Sequence, residues 1–430
     1  MQKQKQLPQH FNQEGGDKMT DVIKRDGTIE RFDSEKIVSA LTRGLAKIGI
    51  NENDIAIDVA EKAAVIIKDM GLELIGVDKI HKVVEDLIMD GGYHDLAREY
   101  ITYRFSHKKN IFKKRTNLKP YEYPEILEFT DAIRHSYWIH TEFNYSSDIQ
   151  DYKVNMTPVE ANIIKNAMLA IAQIEVSVKT FWSKIYERFP KPEFQGVGVT
   201  FAESEVRHAD AYSNLIELLG LNEEFKKLLE IPAIKKRIAY LERVNKTPIE
   251  DRDYFHNIIL FSMFVENVSL FSQFLIMMSF NKHKNMLKGI SNAVEATSKE
   301  EDIHARFGFE IVNIIKDENP RWWTEEVKDE IIAACLEAYD AESDIVDWIY
   351  GDADLDFLPK VLVKEFVKDR FNQSMRAIGL DNIFETDREM LKQTAWFVEE
   401  TLSTKNIDFF VKRSTAYAKK TKSFTEDDLF

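Results

Sequence analysis

Cysteine is nearly missing: Cys335 is the only one in 430 residues. A lone thiol excludes disulfides, thiolate zinc sites and dithiol chemistry within the chain. Positive charge is also short, with 58 Lys and Arg against 73 Asp and Glu, a formal net charge of −15. A general nucleic-acid binder carries a basic face, so that class is disfavoured. No uninterrupted run of about 18 apolar residues suggests a membrane span. The opening MQKQKQLPQHFNQEGG lacks the apolar centre of a signal peptide, so the expected location is the cytoplasm. No parallel βαβ pattern is visible. What remains is an ordinary globular mix, 44% hydrophobic and 30% charged, long enough for two domains or one large one.

Residues 1–18 are polar, contain Gly15-Gly16 and are expected to be a disordered tail. Residues 19–110 form a small α+β domain. In VIKRDGTIERF two β-prone runs flank Asp26-Gly27, a hairpin signal. Amphipathic helices follow near 34–48, 55–69 and 77–90, the second closed by Gly71 and the third by Gly91-Gly92, and a last one runs from Leu96. The stretch 111–124, with two prolines and no clear period, reads as a linker. Residues 125–412 read as almost entirely helical. Thr157-Pro-Val-Glu160 is a capping box with proline at the first helical position. The polar end, 413–430, is expected to be flexible.

The chemistry sits between Glu175 and His304. The order is Glu175, then Glu205-Val-Arg-His208, then Glu266, then Glu301-Asp-Ile-His304. A dinuclear site in a bundle core takes one Glu from each of two helices and a Glu-x-x-His pair from each of the other two. Residues i and i+3 share a helix face, so one helix offers a carboxylate and an imidazole together. A single acid-x-x-His is weak, and the chain holds its own controls in Asp78-Lys-Ile-His81 and Asp253-Tyr-Phe-His256. The full set differs in its order and in its apolar setting, where a carboxylate is costly unless paired or metal-bound. Tyr212, one turn after His208, is either a core tyrosine or a residue close enough to the ions for one-electron oxidation.

These residues carry a resemblance. Residues 125–430 resemble the small, radical-generating subunit of class I ribonucleotide reductase, a ferritin-like helical protein that works as a dimer. The resemblance implies Glu175, Glu205, His208, Glu266, Glu301 and His304 as ligands of two metal ions, with Tyr212 at the radical-tyrosine position. It puts Trp138, in HSYWIHTEFNY, at the electron-relay tryptophan, and Glu300 where the family usually has an aspartate joining that tryptophan to a ligand histidine. Tyr417 matches a relay tyrosine, and the acidic, Phe-ended FTEDDLF resembles the peptide that docks on the large subunit. Two positions depart from the usual pattern: Glu175 and Glu300 stand where Asp is commonest. Iron with a tyrosyl radical and a manganese-containing cluster that itself stores the oxidant both stay open, since both metals accept O and N donors.

The N-terminal domain resembles an ATP-cone, a nucleotide-binding regulatory module, through VIKRDGTIERFDSEKI and VEDLIMDGGYHDLAREYITYR. Lys24, Arg25, Asp26 and Gly27 would form a turn whose cations and backbone N–H groups hold phosphates. Lys36, Lys62, His81 and Arg104 are further candidate contacts. Such cones usually sit on the large catalytic subunit.

Together these readings imply a metal-dependent radical generator for ribonucleotide reduction. Its partner is a separate large subunit, because the reduction needs a thiyl radical and a dithiol that one cysteine cannot supply. ATP would permit activity and dATP stop it, through a change from homodimer to tetramer. Two rivals are a ferritin-like oxidase acting alone and a nucleotide-sensing binding protein with a merely structural bundle.

Overall fold

The computed structural model describes residues 20–23, 29–50, 53–106, 109–119, 121–244 and 250–401. The chain divides into two compact units, Met1–Lys109 and Asn110–Phe430.

In the first unit, β1 (Asp21–Ile23) pairs antiparallel with β2 (Ile29–Arg31) and parallel with β3 (Leu74–Gly76), giving the order β2-β1-β3. The hairpin is the one the sequence implies, although its turn, 24–28, lies outside the described residues. Strand β3 is a new element: three residues are too few to show a period. Four helices complete the unit: α1 (Glu35–Lys47), α2 (Asp54–Asp69), α3 (Val77–Asp90) and α4 (His94–Ser106). Gly71 and Gly92 end α2 and α3 with φ of +63° and +78°, a backbone state that only glycine adopts cheaply. Leu41, Leu45, Val59, Ala63, Val84 and Ile88 form the core between the helices.

The second unit is a helical bundle. Its main helices are α5 (Leu127–Ser136), α6 (Pro158–Ser183), α7 (Pro192–Leu219), α8 (Pro232–Val244), α9 (Asp251–Lys284), α10 (Lys288–Glu318), α11 (Glu325–Tyr350) and α12 (Lys360–Ala377). Helix α6 starts as its sequence demands. Thr157 Oγ1 accepts from the Glu160 N–H, the Glu160 carboxylate accepts from the Thr157 N–H, and Pro158 takes the first position. Helix α9 is long and apolar enough to cross a membrane by length and composition, and its apolar stretch is wholly buried inside the bundle. Its middle, Phe261–Ser269, is π-helical.

The stretch read as a linker packs against the bundle. Ile111 is buried in its core, and its N–H donates to Glu318 at 2.8 Å. Glu193 accepts from the N–H groups of Glu122 and Tyr123 and pairs with Arg115. These anchors are scattered single contacts, which leave no period in the sequence.

Candidate metal centre

Four helices bring the six candidate ligands together. Glu175 comes from α6, Glu205 and His208 from α7, Glu266 from the π-helical turn of α9, and Glu301 and His304 from α10. All six are at most 2% exposed. Donor atoms of Glu205, Glu266, Glu301 and His304 lie within 4.8 Å of one another, as do those of Glu175, Glu205 and His208. The two groups share Glu205.

Glu205 and Glu301 each span the two imidazoles. Glu301 sets one oxygen 3.0 Å from His208 Nδ1 and the other 3.4 Å from His304 Nδ1. Glu205 does the same at 3.6 Å and 3.1 Å. Glu266 lies 3.4 Å from His304 Nδ1.

The outer nitrogen of each ring is fixed. His208 Nε2 lies 2.8 Å from Glu300 Oε2 and donates to it, which turns Nδ1 toward the cluster. Ser204 donates its hydroxyl to the Phe201 carbonyl at 2.8 Å, and its oxygen then accepts from His304 Nε2 at 3.0 Å. His304 Nδ1 is thereby also turned inward. Trp182 Nε1 donates to Glu266 Oε1 at 3.1 Å, which leaves Oε2 facing inward.

Whether this set fits metal ions can be tested on its own atoms. Both oxygens of Glu175 and of Glu205, Nδ1 of both histidines, Glu266 Oε2 and Glu301 Oε1 are buried without a hydrogen-bond partner. Each such atom would cost roughly 1–3 kcal/mol, and more if charged. Every one of the six residues contributes at least one of them, and all point to one place. Four carboxylates and two imidazoles are the donors of a two-ion bundle site, so the residues fit the group.

The charge balance agrees. Burial, with the neighbouring carboxylates, pushes the Glu175 and Glu266 carboxyls well above their ordinary range. Burial opposes the charging of His208 and His304, yet the facing carboxylates hold both rings well above the usual histidine value. Without cations the cluster retains protons, which bound metal ions displace.

Glu300 organises the next layer. It accepts from Trp138 Nε1 at 3.2 Å, Ser136 Oγ at 3.0 Å and both terminal nitrogens of Arg207 at 3.2 Å. Arg207 also donates to the Trp138 carbonyl at 3.0 Å. The buried Trp138 ring stacks on His208 with centroids 5.8 Å apart and planes 17° apart. Tyr212 is buried on α7, its hydroxyl without a hydrogen-bond partner; burial, then the Glu175 charge, raises its pKa well above the ordinary value. Ser204, Trp182 and Arg207 were not among the sequence candidates.

The nucleotide candidates are more dispersed. Lys24, Arg25, Asp26 and Gly27, the side chain of Arg104, and Tyr417 lie outside the described residues. Lys36 on α1 pairs with Glu30 at 2.6 Å, and Lys62 on α2 with Asp58 at 2.7 Å, both on the surface. His81 on α3 has Nδ1 2.9 Å from the Tyr100 hydroxyl. Among the two controls, His256 has a buried Nε2 with no hydrogen-bond partner, but it is not part of either donor group.

Known proteins share this architecture. Residues 115–391 match the family described as ribonucleotide reductase, small chain, and residues 20–109 match the ATP cone domain. A probable ribonucleoside-diphosphate reductase small subunit of Invertebrate iridescent virus 3 is 23% identical over 335 residues, 72% of this chain and 86% of that protein. The ribonucleotide reductase R2 subunit from Clostridium botulinum superposes with a TM-score of 0.61 at 17% identity, covering 68% of this chain and 94% of that one. The dimanganese(II)-NrdF of Streptococcus sanguinis gives 0.58 at 16% identity, over 68% of this chain and 100% of that one. At such identities the solved structures speak to the fold, a ferritin-like bundle. With a small-chain match over well more than half its length, this chain belongs to the ribonucleotide reductase small-chain family, and it carries an ATP cone at its N-terminal end.

Proposed function

We propose that this chain is the radical-generating small subunit of a class I ribonucleoside-diphosphate reductase, active with a separate large subunit. The observation that carries the reading is the convergence of orphaned, buried donor atoms from Glu175, Glu205, His208, Glu266, Glu301 and His304. Bound there, two iron or manganese ions would supply the one-electron oxidising power. Glu175, Glu205, Glu266, Glu301, His208 and His304 would hold them, while Glu300 and Ser204 keep the two imidazoles turned toward the cluster.

Trp138 is the exit for the oxidising equivalent. Its N–H is tied through Glu300 to the outer nitrogen of His208, and its ring stacks on that imidazole. Arg207 donates to both oxygens of Glu300 and so fixes that carboxylate between Trp138 and His208. Tyr212 is the candidate organic radical site, and Tyr417 the relay toward the large subunit. Chemistry on the ribose belongs to that subunit, because Cys335 is buried and its thiol is pushed up to about 12 by burial. It cannot serve as a working thiolate.

The cone supports nucleotide control. ATP and dATP are the proposed effectors, held by the turn at Lys24–Gly27 with Lys36, Lys62, His81 and Arg104 as further contacts. The working form is a cytoplasmic homodimer, and dATP shifts it to a tetramer that no longer docks. Identical masses with ATP and with dATP would remove this mechanism.

Electron paramagnetic resonance tests the main reading. Protein loaded separately with iron and with manganese is exposed to oxygen and assayed with the large subunit. A sharp organic doublet in the active form assigns the radical to Tyr212, and Tyr212→Phe then abolishes activity. A multiline manganese signal without a tyrosyl component assigns storage to the ions. Retention of neither metal refutes the six-ligand assignment.

A further inference from the structure

Glu266 reaches the cluster from a stretch of helix that should be unstable by itself. Phe261–Ser269 is π-helical over nine residues, whereas such segments are mostly single-turn bulges. Widening the helix weakens its internal hydrogen bonding and leaves carbonyls in need of other donors. Here side chains supply them. Ser374 Oγ donates to the Met263 carbonyl at 2.8 Å, and Ser269 Oγ to that of Phe264 at 2.9 Å. Arg370 Nε donates to the Asn267 carbonyl at 2.8 Å, and Arg237 Nη2 to that of Ser269 at 2.8 Å.

Asn267, next to Glu266, ties this pattern to α12. Its side-chain N–H group donates to Ser374 Oγ at 2.7 Å, and its Oδ1 accepts from Arg370 Nη2. Arg370 and Ser374 are one turn apart on α12, so a single helix face grips both the backbone and the side chain of the turn. Both are at most 2% exposed, and the Arg370 guanidinium lies 3.9 Å from the centre of the Phe271 ring. The other side is fixed by contact. A Cβ on Gly308, one turn beyond His304 on α10, would meet Ser262 Oγ at 1.9 Å. The π-helical turn is therefore clamped between α12 and the helix carrying Glu301 and His304.

We propose that Asn267, Arg370 and Ser374 are positioning residues for Glu266: they hold the π-helical register that turns its carboxylate into the cluster. In an α-helical register the flanking segments would rotate by about 100° per residue of slip, and Glu266 would leave the cluster. The inference rests on the six-ligand reading. It also predicts an asymmetry, because Glu266 belongs to the donor group of His304 and not to that of His208.

The test is a titration with manganese(II) alone, following loss of the free-ion resonance signal, on the full-length protein. Wild type takes up two ions. Ser374→Ala and Asn267→Leu keep one ion at wild-type affinity and bind the other at least about tenfold more weakly, the scale of losing a ligand's supporting partner. Hydrogen exchange in the metal-free variants rises in peptides covering 261–269 and not in the rest of α9. Ser279→Ala is the control: it removes a buried hydroxyl bonded to the Ile276 carbonyl on the same helix, outside the π-helical turn, and should change neither readout. Two-ion uptake by both variants at wild-type affinity overturns this inference alone. So does equal weakening of both ions. Absence of uptake by the wild type overturns the six-ligand reading, and the positioning role with it.

Discussion

The two units of this chain treat charge in opposite ways. In the bundle the charged residues that matter are buried, six of them around one cluster and others in pairs such as Arg237 with Glu342, 2.9 Å apart and almost fully enclosed. In the N-terminal unit the described candidates Lys36 and Lys62 form surface ion pairs, each with more than half of the Lys side chain exposed. A buried charge carries a large penalty, so its presence in an apolar helix signals a partner or an ion. A surface cation carries almost none, and its presence signals little.

The contrast can be broken first at the cluster. Glu205→Ala removes the carboxylate common to both donor groups and should abolish binding of both ions and all reductase activity, read by metal analysis and assay with the large subunit. Trp138→Phe should keep both ions, since Trp138 is not a ligand, while activity falls to background. A parallel loss of metal would recast Trp138 as a structural support for Glu300.

Away from the cluster the bundle still magnifies charge changes. Arg237→Met strands Glu342 in the core and should cost about 3–5 kcal/mol in denaturant unfolding. Replacing both partners with apolar residues should recover most of it. Thr157→Ala breaks the capping box of α6 and should cost about 1 kcal/mol. Burial opposes it, but Lys284 and Thr157 hold the Glu160 carboxyl below its ordinary 4.5. Its contribution is thus complete above that value and is lost as pH falls through the lowered one, so the Thr157→Ala penalty should shrink in acid. Lys62→Ala should leave the melting temperature unchanged. If the lysine meets a phosphate, that variant weakens ATP binding instead, which calorimetry would detect.

The same physics decides what could be read in advance. The six candidate ligands stood out because carboxylates and imidazoles inside apolar helices violate the expected pattern, whereas Glu300 and Trp138 entered only through the family resemblance. The capping box at Thr157 was visible because it is local. The π-helical turn around Glu266 was not: every residue from Phe261 to Phe280 is buried, so no polar face records the helical phase. Ser204 escaped because one hydroxyl in a helix is commonplace, and its role depends on His304, a hundred residues away. The stretch 111–124 read as a linker because its contacts with Lys191, Glu193 and Glu318 are single, irregular and distant in sequence.

Anomalous diffraction from crystals loaded with iron or manganese tests the central claim most directly. The account predicts two peaks per chain, one within coordination distance of His208 Nδ1 and one equally near His304 Nδ1, both among the carboxylates of Glu175, Glu205, Glu266 and Glu301. Peaks elsewhere, or an empty cluster in protein that has been supplied with metal, would contradict it.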